Sequence, residues 1–278
     1  MLTPAVVRSA SGAASYYAAD NYYTDGQATE ASLWVGEGAA QLGLTGEVGR
    51  EPFEAVLRGE LPNGATIPAG ANGKHRAGMD FTFSAPKSLS LLAYVGGDAR
   101  LLAAHMASVR STVGWIERNL AETRVAKDGA QETVRSGNLV VALFQHDTSR
   151  ALDPQAHIHA IIANATRGPD GKWRAVHNDA LWEGYSTAAS VYNADLRQRV
   201  EALGYATERV LATRVRDSVT LVVDDAVRLE RVAGRRDGAK TEASIIEKAT
   251  ARGDRVPEKQ IALELTGRVR ERSIELEM

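Results

Sequence analysis

The chain has 278 residues, 44% of them hydrophobic and 24% charged, which is enough for one large domain or two ordinary ones. Its lack of cysteine excludes disulfide bonds and thiolate metal sites, and no apolar run approaches the roughly 20 residues that span a bilayer. The net charge of −2 argues against binding of long nucleic acids by charge alone, although residues 71–200, with 15 basic and 12 acidic side chains, are net positive. We therefore expect a cytoplasmic protein with no membrane insertion.

The first half of the chain shows both helical and strand periodicity. Helix formers over residues 13–19 predict a helix after an N-terminal strand or turn, and alternation over residues 79–83 predicts a strand. Ser84 is then expected to cap a helix that has Pro86 in its first turn. Apolar residues at helical spacing predict a long amphipathic helix over residues 98–124.

The second half begins with strand patterns. Aliphatic runs predict three strands, joined as an antiparallel meander because the last two flank a turn sequence, at residues 138–146, 156–166 and 172–177. A helix is predicted over residues 187–203, with Gly204 at its end. After a short strand at 218–223, the charged sequence favours helices, so we divide the chain into a core over residues 1–225 and a helical C-terminal extension over residues 226–278.

Three of the six histidines lie at the ends of two strands that we predict to pair. His157 and His159 are two residues apart, so both imidazoles project from one face of a strand. His146 joins them if it pairs directly with either position, because opposite residues share a face. This arrangement predicts a metal site of three nitrogens with open positions. The alternative is a chance His-x-His pair on a half-exposed strand.

The predicted ligand set contains no carboxylate, so a divalent ion such as Mg²⁺, Mn²⁺ or Zn²⁺ would keep its full charge there. That charge suits polarisation of a phosphodiester. Imidazole ligands usually donate their second N–H to a carboxylate, and Asp80, on an otherwise apolar strand, is the candidate for that role. The alternative for Asp80 is an exposed position at a strand edge.

Two tyrosine pairs, Tyr16-Tyr17 and Tyr22-Tyr23, supply half of the tyrosines in the chain. A phenol with a pKa near ~10 is a poor nucleophile unless a polarised phosphate or a base assists it. Beside a three-histidine site, these tyrosines are candidate nucleophiles. Alternatively, each pair supplies one core ring and one exposed ring.

Together these motifs resemble the conjugative DNA relaxases of the MobF (TrwC/TraI-like) family, within the HUH (His-hydrophobe-His) endonuclease superfamily. The resemblance rests on both tyrosine pairs, on residues 80–88, and on His146 followed by residues 153–159. Weaker patches at residues 171–179 and 191–194 extend it to about residue 205. It implies an α+β fold with a central five-stranded antiparallel sheet flanked by helices, and it suggests that the chain continues into a helicase.

The resemblance also implies an activity, namely nicking of one DNA strand at a plasmid origin of transfer with a covalent 5′-phosphotyrosine intermediate. By position, Tyr16 matches the first nucleophile, and Asp80 matches a residue that orients a metal-site histidine and accepts the phenol's proton. Tyr22 matches the first member of the second pair, but the spacer over residues 18–21 is short for the family, so Tyr23 is an alternative. The expected partners are single-stranded origin DNA with its adjacent hairpin and accessory conjugation proteins, in a bacterial cytoplasm.

Six further side chains are candidates for binding the DNA strand, since they combine positive charge with one stacking ring. They are Lys74, Arg76, Lys87, Arg150, Trp173 and Arg174. For each, a solvated surface position is the alternative. Two other functions stay open at this stage: a metal phosphodiesterase that uses water, with structural tyrosines, and a non-catalytic module that binds single-stranded DNA and holds a structural metal.

Overall fold

The computed structural model describes residues 1–17, 32–68, 76–127, 129–149, 154–216 and 220–231, and it describes side chains in these ranges except at 14–17 and 208–231. The helices are α1 (Ala10–Tyr17), α2 (Glu37–Gln41), α3 (Arg50–Leu57), α4 (Lys87–Tyr94), α5 (Ala99–Leu120) and α6 (Asp179–Ala202). The first strands are β1 (Leu2–Val7), β2 (Ser32–Val35), β3 (Gly78–Ser84), β4 (Glu122–Lys127), β5 (Ala130–Arg135) and β6 (Val141–Thr148). The others are β7 (Pro154–Ala163), β8 (Thr166–Arg167), β9 (Trp173–Arg174), β10 (Val176–His177), β11 (Tyr205–Arg216) and β12 (Thr220–Arg231).

A five-stranded antiparallel sheet with the order β1-β3-β7-β6-β2 forms the centre of the fold. Helices cover both of its faces, which confirms the predicted α+β class. Strand β7 is buried on both faces of the sheet, which explains its nearly continuous apolar sequence. Ile158 and Ala160 pack into the hydrophobic cluster under α4, α5 and α6, whereas Ile161 and Ala163 pack into the cluster that includes residues of α1 and α3. We call these surfaces the α5 face and the α1 face.

Helix α5 is amphipathic as predicted, but it ends four residues early. Asp98 caps it by accepting a hydrogen bond from the Arg100 backbone N–H at 3.2 Å. After Leu120 the chain forms β4, which pairs with β5. The prediction of helix to residue 124 was therefore wrong, because cross-strand pairing fixes residues 122–124 in extended conformation.

The predicted three-strand meander was wrong in its third strand. Strands β6 and β7 pair as expected, but the other neighbour of β7 is β3. Residues 173–174 instead pair with β8, and β10 pairs with β4. The turn sequence does reverse the chain, but it joins two short strands beside the central sheet.

The start of α4 also differs from the prediction. Ser84 is the last residue of β3, and its backbone N–H donates to the Met1 carbonyl at 2.8 Å. Pro86 is the N-cap residue, and no side chain caps this helix. Within the described residues no helix is both long enough and apolar enough to cross a membrane.

The C-terminal part of the described chain contains more strand than expected. Helix α6 starts at Asp179, before the predicted residue 187, and it ends beside Gly204, whose φ of 90° suits glycine. Strands β11 and β12 form a two-stranded sheet, and β12 continues to Arg231. Residues 226–231, assigned to the helical extension, are therefore extended because they pair with β11. Residues 232–278 lie outside the described part.

A buried histidine, His105 of α5, faces Tyr192 of α6. His105 is 1% exposed, and its Nδ1 lies 2.9 Å from the Tyr192 hydroxyl. Burial lowers the pKa of His105 to about 3, and the positive N-terminus and His157 act in the same direction. His105 therefore stays neutral in the folded chain at pH values where an unfolded histidine, with a pKa near ~6.5, is protonated.

This burial predicts acid-sensitive stability. The His105 contribution is fully present above the unfolded pKa and is lost as the pH falls from about 6.5 towards 3, because the unfolded chain then binds the extra proton. Between pH 7 and pH 5 the free energy of unfolding should drop by about 2 kcal/mol from this group. Urea unfolding with chelator present measures the drop. H105Q, which retains a hydrogen-bonding group but does not titrate, should show a smaller decrease, and an unchanged decrease would contradict this origin.

Candidate metal centre and active site

The pairing of β6 with β7 brings the three histidines together. His146 lies directly opposite His157, which is one of the two registers that the sequence analysis required, and a bulge in β6 follows His146. The three rings share the α1 face, with ring centroids 5.1–5.3 Å apart. One potential ligand atom from each ring lies within 4.8 Å of the other two. The register prediction is thus confirmed.

Hydrogen bonds at Nδ1 orient two of the three imidazoles. His157 Nδ1 lies 3.0 Å from the Gln155 carbonyl oxygen, which can only accept, so Nδ1 carries the proton. His159 Nδ1 lies 2.7 Å from Asp80 Oδ2, and an ionised carboxylate likewise only accepts. Each ring therefore carries its lone pair on Nε2. These two side chains are fixed in the tautomer that a metal ligand needs.

The surroundings of His157 favour its neutral form. Burial lowers the pKa of His157, and the neighbouring His159 lowers it further, against the opposing effects of the Gln155 carbonyl and of Asp80 and Asp147. A neutral His₃ set with bonds of about 2.0–2.1 Å is a common donor set for Zn²⁺ and other divalent ions. The spacing and chemistry of these residues fit such an ion.

Asp80 has a second partner, Thr82, which was not among the predicted site residues. The Thr82 hydroxyl donates to Asp80 Oδ1 at 3.2 Å and lies 3.2 Å from His159 Nδ1. Thr82 is opposite His159 in the β3–β7 ladder. Its position two residues after Asp80, on the same strand face, was the available sequence signal.

Asp80→Asn should weaken divalent-ion affinity by about 10–100-fold, because the uncharged amide no longer supports the His159 N–H as a carboxylate does. Calorimetric titration with Mn²⁺ and with Zn²⁺ checks the expectation. Asp195→Asn, which removes a charge that pairs with Arg199 on α6, is the matched control and should bind as the unmodified chain does. Equal affinities in the two variants would show that Asp80 does not support metal binding and has only a structural role.

The first tyrosine pair lies on an element that packs over the histidine face. The described part of helix α1 runs to Tyr17, and its Ala13 belongs to the hydrophobic cluster that also contains Phe144 and Ile161. The side chains of Tyr16 and Tyr17 lie outside the described part, as do Tyr22 and Tyr23 entirely. The backbone nevertheless places the end of α1 on the side of the sheet that carries the histidines.

The basic candidates occupy different surroundings. Arg76 donates from Nη2 to Asn164 Oδ1 at 3.1 Å and to the Val176 carbonyl at 2.8 Å, so it connects three chain segments. Arg174 makes two hydrogen bonds of 2.6 Å to the Asp170 carboxylate across the β8–β9 turn.

The neighbouring Trp173 packs partly against the α1-face cluster. Lys87 lies in the first turn of α4 and is partly exposed. Lys74 and Arg150 fall outside the described residues. Of the described basic candidates, Arg76 and Arg174 hydrogen-bond to protein groups, although Arg76 is exposed and Lys87 is only partly so.

Fold and site together define a protein of the HUH endonuclease class: a five-stranded antiparallel sheet that carries a His-hydrophobe-His strand and a third histidine beside it. A sequence model described as "TrwC relaxase" matches residues 10–274. The chain belongs to this TrwC relaxase family.

Individual relatives agree with this assignment. The multifunctional conjugation protein TraI of Escherichia coli is 48% identical over 222 residues, which cover 76% of this chain and 12% of TraI. The present chain thus spans only about an eighth of that relative. The conjugative relaxase TrwC, solved in complex with oriT DNA and copper, superposes with a TM-score of 0.72 at 36% identity, covering 95% of this chain and 89% of the solved TrwC chain. TrwC bound to a 27-mer with the recognition hairpin and cleavage site gives 0.67 at 34% identity, with 95% and 89% coverage.

Proposed function

We propose that this chain nicks one DNA strand at a plasmid origin of transfer and retains the cut end as a covalent 5′-phosphotyrosine. The observation that carries the proposal is the cluster of three histidines on one sheet face, with His159 held by Asp80 at 2.7 Å. Membership of the relaxase family and the oriT DNA bound to TrwC support it.

His146, His157 and His159 would hold the divalent ion, and the copper-bound TrwC complex supports such a cofactor. When bound, the ion supplies Lewis-acid polarisation of the scissile phosphate. Asp80 and Gln155 keep the protons of their histidines on Nδ1, so that both Nε2 atoms face the site as acceptors. These residues fix the ligands before substrate arrives, which lowers the reorganisation cost of binding.

Tyr16 is the proposed nucleophile. Its phenol oxygen forms the new bond to phosphorus, and the phenol proton passes to a nearby base, for which Asp80 is the candidate. The phosphorus bond to the 3′-oxygen breaks, and this oxygen leaves as a hydroxyl with a proton from that base or from solvent. One phosphoester replaces another, so the step is reversible and can rejoin ends. Tyr22, or Tyr23 in its place, is the proposed acceptor in a second strand transfer. Tyr17 completes the first tyrosine pair and is proposed to lie at the active site without acting as the first nucleophile.

The proposed partners are single-stranded origin DNA, its adjacent hairpin and accessory proteins of conjugation. The hairpin-containing 27-mer bound to TrwC supports the DNA part. Lys87 is the proposed phosphate contact, with Lys74, Arg76, Arg150, Trp173 and Arg174 as further contacts. Because plasmid DNA is the substrate, we place the reaction in the bacterial cytoplasm. We retain residues 1–225 as the proposed relaxase core and residues 226–278 as its extension.

The test is incubation of the chain with a single-stranded oligonucleotide that spans its nick site, with Mn²⁺ and with chelator. We expect a protein–DNA adduct that survives denaturation, shifts in mobility after protease treatment, and disappears with chelator. Metal-dependent cleavage without an adduct would establish hydrolysis by water instead. Binding without cleavage would establish a non-catalytic DNA-binding module.

A further inference from the structure

Strand β7, which supplies His157, begins beside helix α4. Its residue Ala156 makes both of its backbone hydrogen bonds to residues in α4 or just before it. The Ala156 N–H donates to Ser90 Oγ at 2.9 Å. The Ala156 carbonyl accepts from the Ala85 N–H at 2.9 Å. Ala156 and Ser90 are both fully buried. The residue immediately before His157 is therefore held between a backbone donor and a side-chain acceptor.

The Ser90 hydroxyl takes the place of the β3 carbonyl that would accept from the Ala156 N–H if the β3–β7 ladder continued. The last paired residues of that ladder are Ser84 and His157, and beyond them the chain turns into α4 at Pro86. Beyond Ser84, β3 leaves the ladder, and the acceptor of the Ala156 N–H in the structure is Ser90 Oγ. A buried N–H without an acceptor is costly, and Ser90, one turn into α4, supplies the oxygen.

The same segment sets the direction of the His157 ring. The His157 Nδ1–H donates to the carbonyl of Gln155, which shares a peptide group with Ala156 N. A shift of the Ala156 N–H therefore moves the carbonyl that orients His157. His157 also lies directly opposite His146, so the shift would change the spacing of two of the three rings.

We propose that Ser90 is a positioning residue for the metal centre, acting through the Ala156 backbone on the orientation of His157. The inference rests on the proposed metal-binding role of the three histidines. It predicts that loss of the Ser90 hydroxyl changes metal affinity and coordination geometry beyond the general loss of stability that any buried serine would cause.

The experiment compares S90A with S108A. Ser108 is an equally buried helical serine, on α5, whose hydroxyl donates to the Ala104 carbonyl four residues earlier, as that of Ser90 does to Pro86. The Ser108 hydroxyl also hydrogen-bonds Asp195, whereas of the two serines Ser90 is the one that accepts from the Ala156 N–H. Binding of Co²⁺ alone is measured by calorimetry and by its visible absorption spectrum, which reports ligand geometry.

We expect S90A to bind Co²⁺ about tenfold more weakly and with altered absorption bands, as for other residues that orient metal ligands. S108A should match the unmodified chain. Equal affinity and spectra in S90A and S108A would overturn the inference. A lack of His146-dependent Co²⁺ binding in the unmodified chain would instead overturn the metal site itself, so the two failures are distinguishable.

A second pair covers the case in which S90A does not fold. S90T and S90V have the same shape, and only threonine keeps an oxygen acceptor. Stronger Co²⁺ binding and a native-like spectrum in S90T than in S90V support the proposal. Identical behaviour of these two variants overturns it.

Discussion

Replacing any one of His146, His157 and His159 with alanine is expected to abolish divalent-ion binding and nicking together. The physical reason is the small donor set: within the described residues these three side chains form the cluster with metal-ligand spacing, and each variant leaves two nitrogens. His146 and His157 are partly exposed, so their removal leaves most of the packing intact. His159→Ala also removes one hydrogen-bond partner of the buried Asp80 carboxylate and should lower stability as well.

Calorimetric titration and cleavage of a supercoiled plasmid that carries the origin measure both effects. His177→Ala is the control, because His177 is a partly buried histidine on β10, outside the central sheet, and it pairs with Asp179. We expect it to bind metal and nick DNA normally. Undiminished metal affinity in all three site variants would show that the centre has been assigned to the wrong residues.

Tyr16→Phe is expected to abolish cleavage while leaving DNA binding in place. The substitution keeps the ring and removes only the hydroxyl, so a structural tyrosine would tolerate it with a small loss of stability. A nucleophile would not, because no other atom of the side chain can form the phosphoester. Tyr17→Phe, one residue along the same helix, is the matched control and should have a minor effect.

Mapping of the trapped adduct separates the tyrosines. Trypsin releases residues 9–50 as one peptide that contains both pairs, and fragmentation assigns the nucleotide mass within it. An adduct at Tyr16 is the expected result. An adduct confined to Tyr22 or Tyr23 would mean that the roles of the two pairs are reversed, and phenylalanine at whichever of the two carries the adduct should then block the first nick.

The histidine face was predictable because its information is local. Strand periodicity, the two-residue spacing of His157 and His159, and a plausible hairpin were sufficient to bring His146 beside them. Asp80 was predictable as a polar residue that interrupts an apolar strand. In the structure Asp80 lies beside the three histidines, with its Oδ2 atom 2.7 Å from His159 Nδ1.

Other parts depended on partners that lie far away in the sequence. Nothing in residues 172–177 reveals that β10 pairs with β4. The early end of α5 is a different case, because a local sequence signal was present and was missed. The Asp128-Gly129 dipeptide, a strong hairpin signal, would have revealed β4 and β5. Ser90 was hidden for a reason similar to that of β10, because a buried serine in a helix shows its acceptor role only when the β7 strand lies against it.

The direct opposition of His146 and His157 also links the ion to folding. Because the ligands come from two strands, the unfolded chain presents no assembled site, and bound metal stabilises only the paired sheet. At a free-ion concentration 100 times the Kd, this linkage would contribute about 2.7 kcal/mol to the stability of the folded state. A sheet slipped by one residue would place His146 on the opposite face from His157 and forfeit that energy. A bound ion would thereby favour the correct strand alignment, in addition to its proposed part in the reaction.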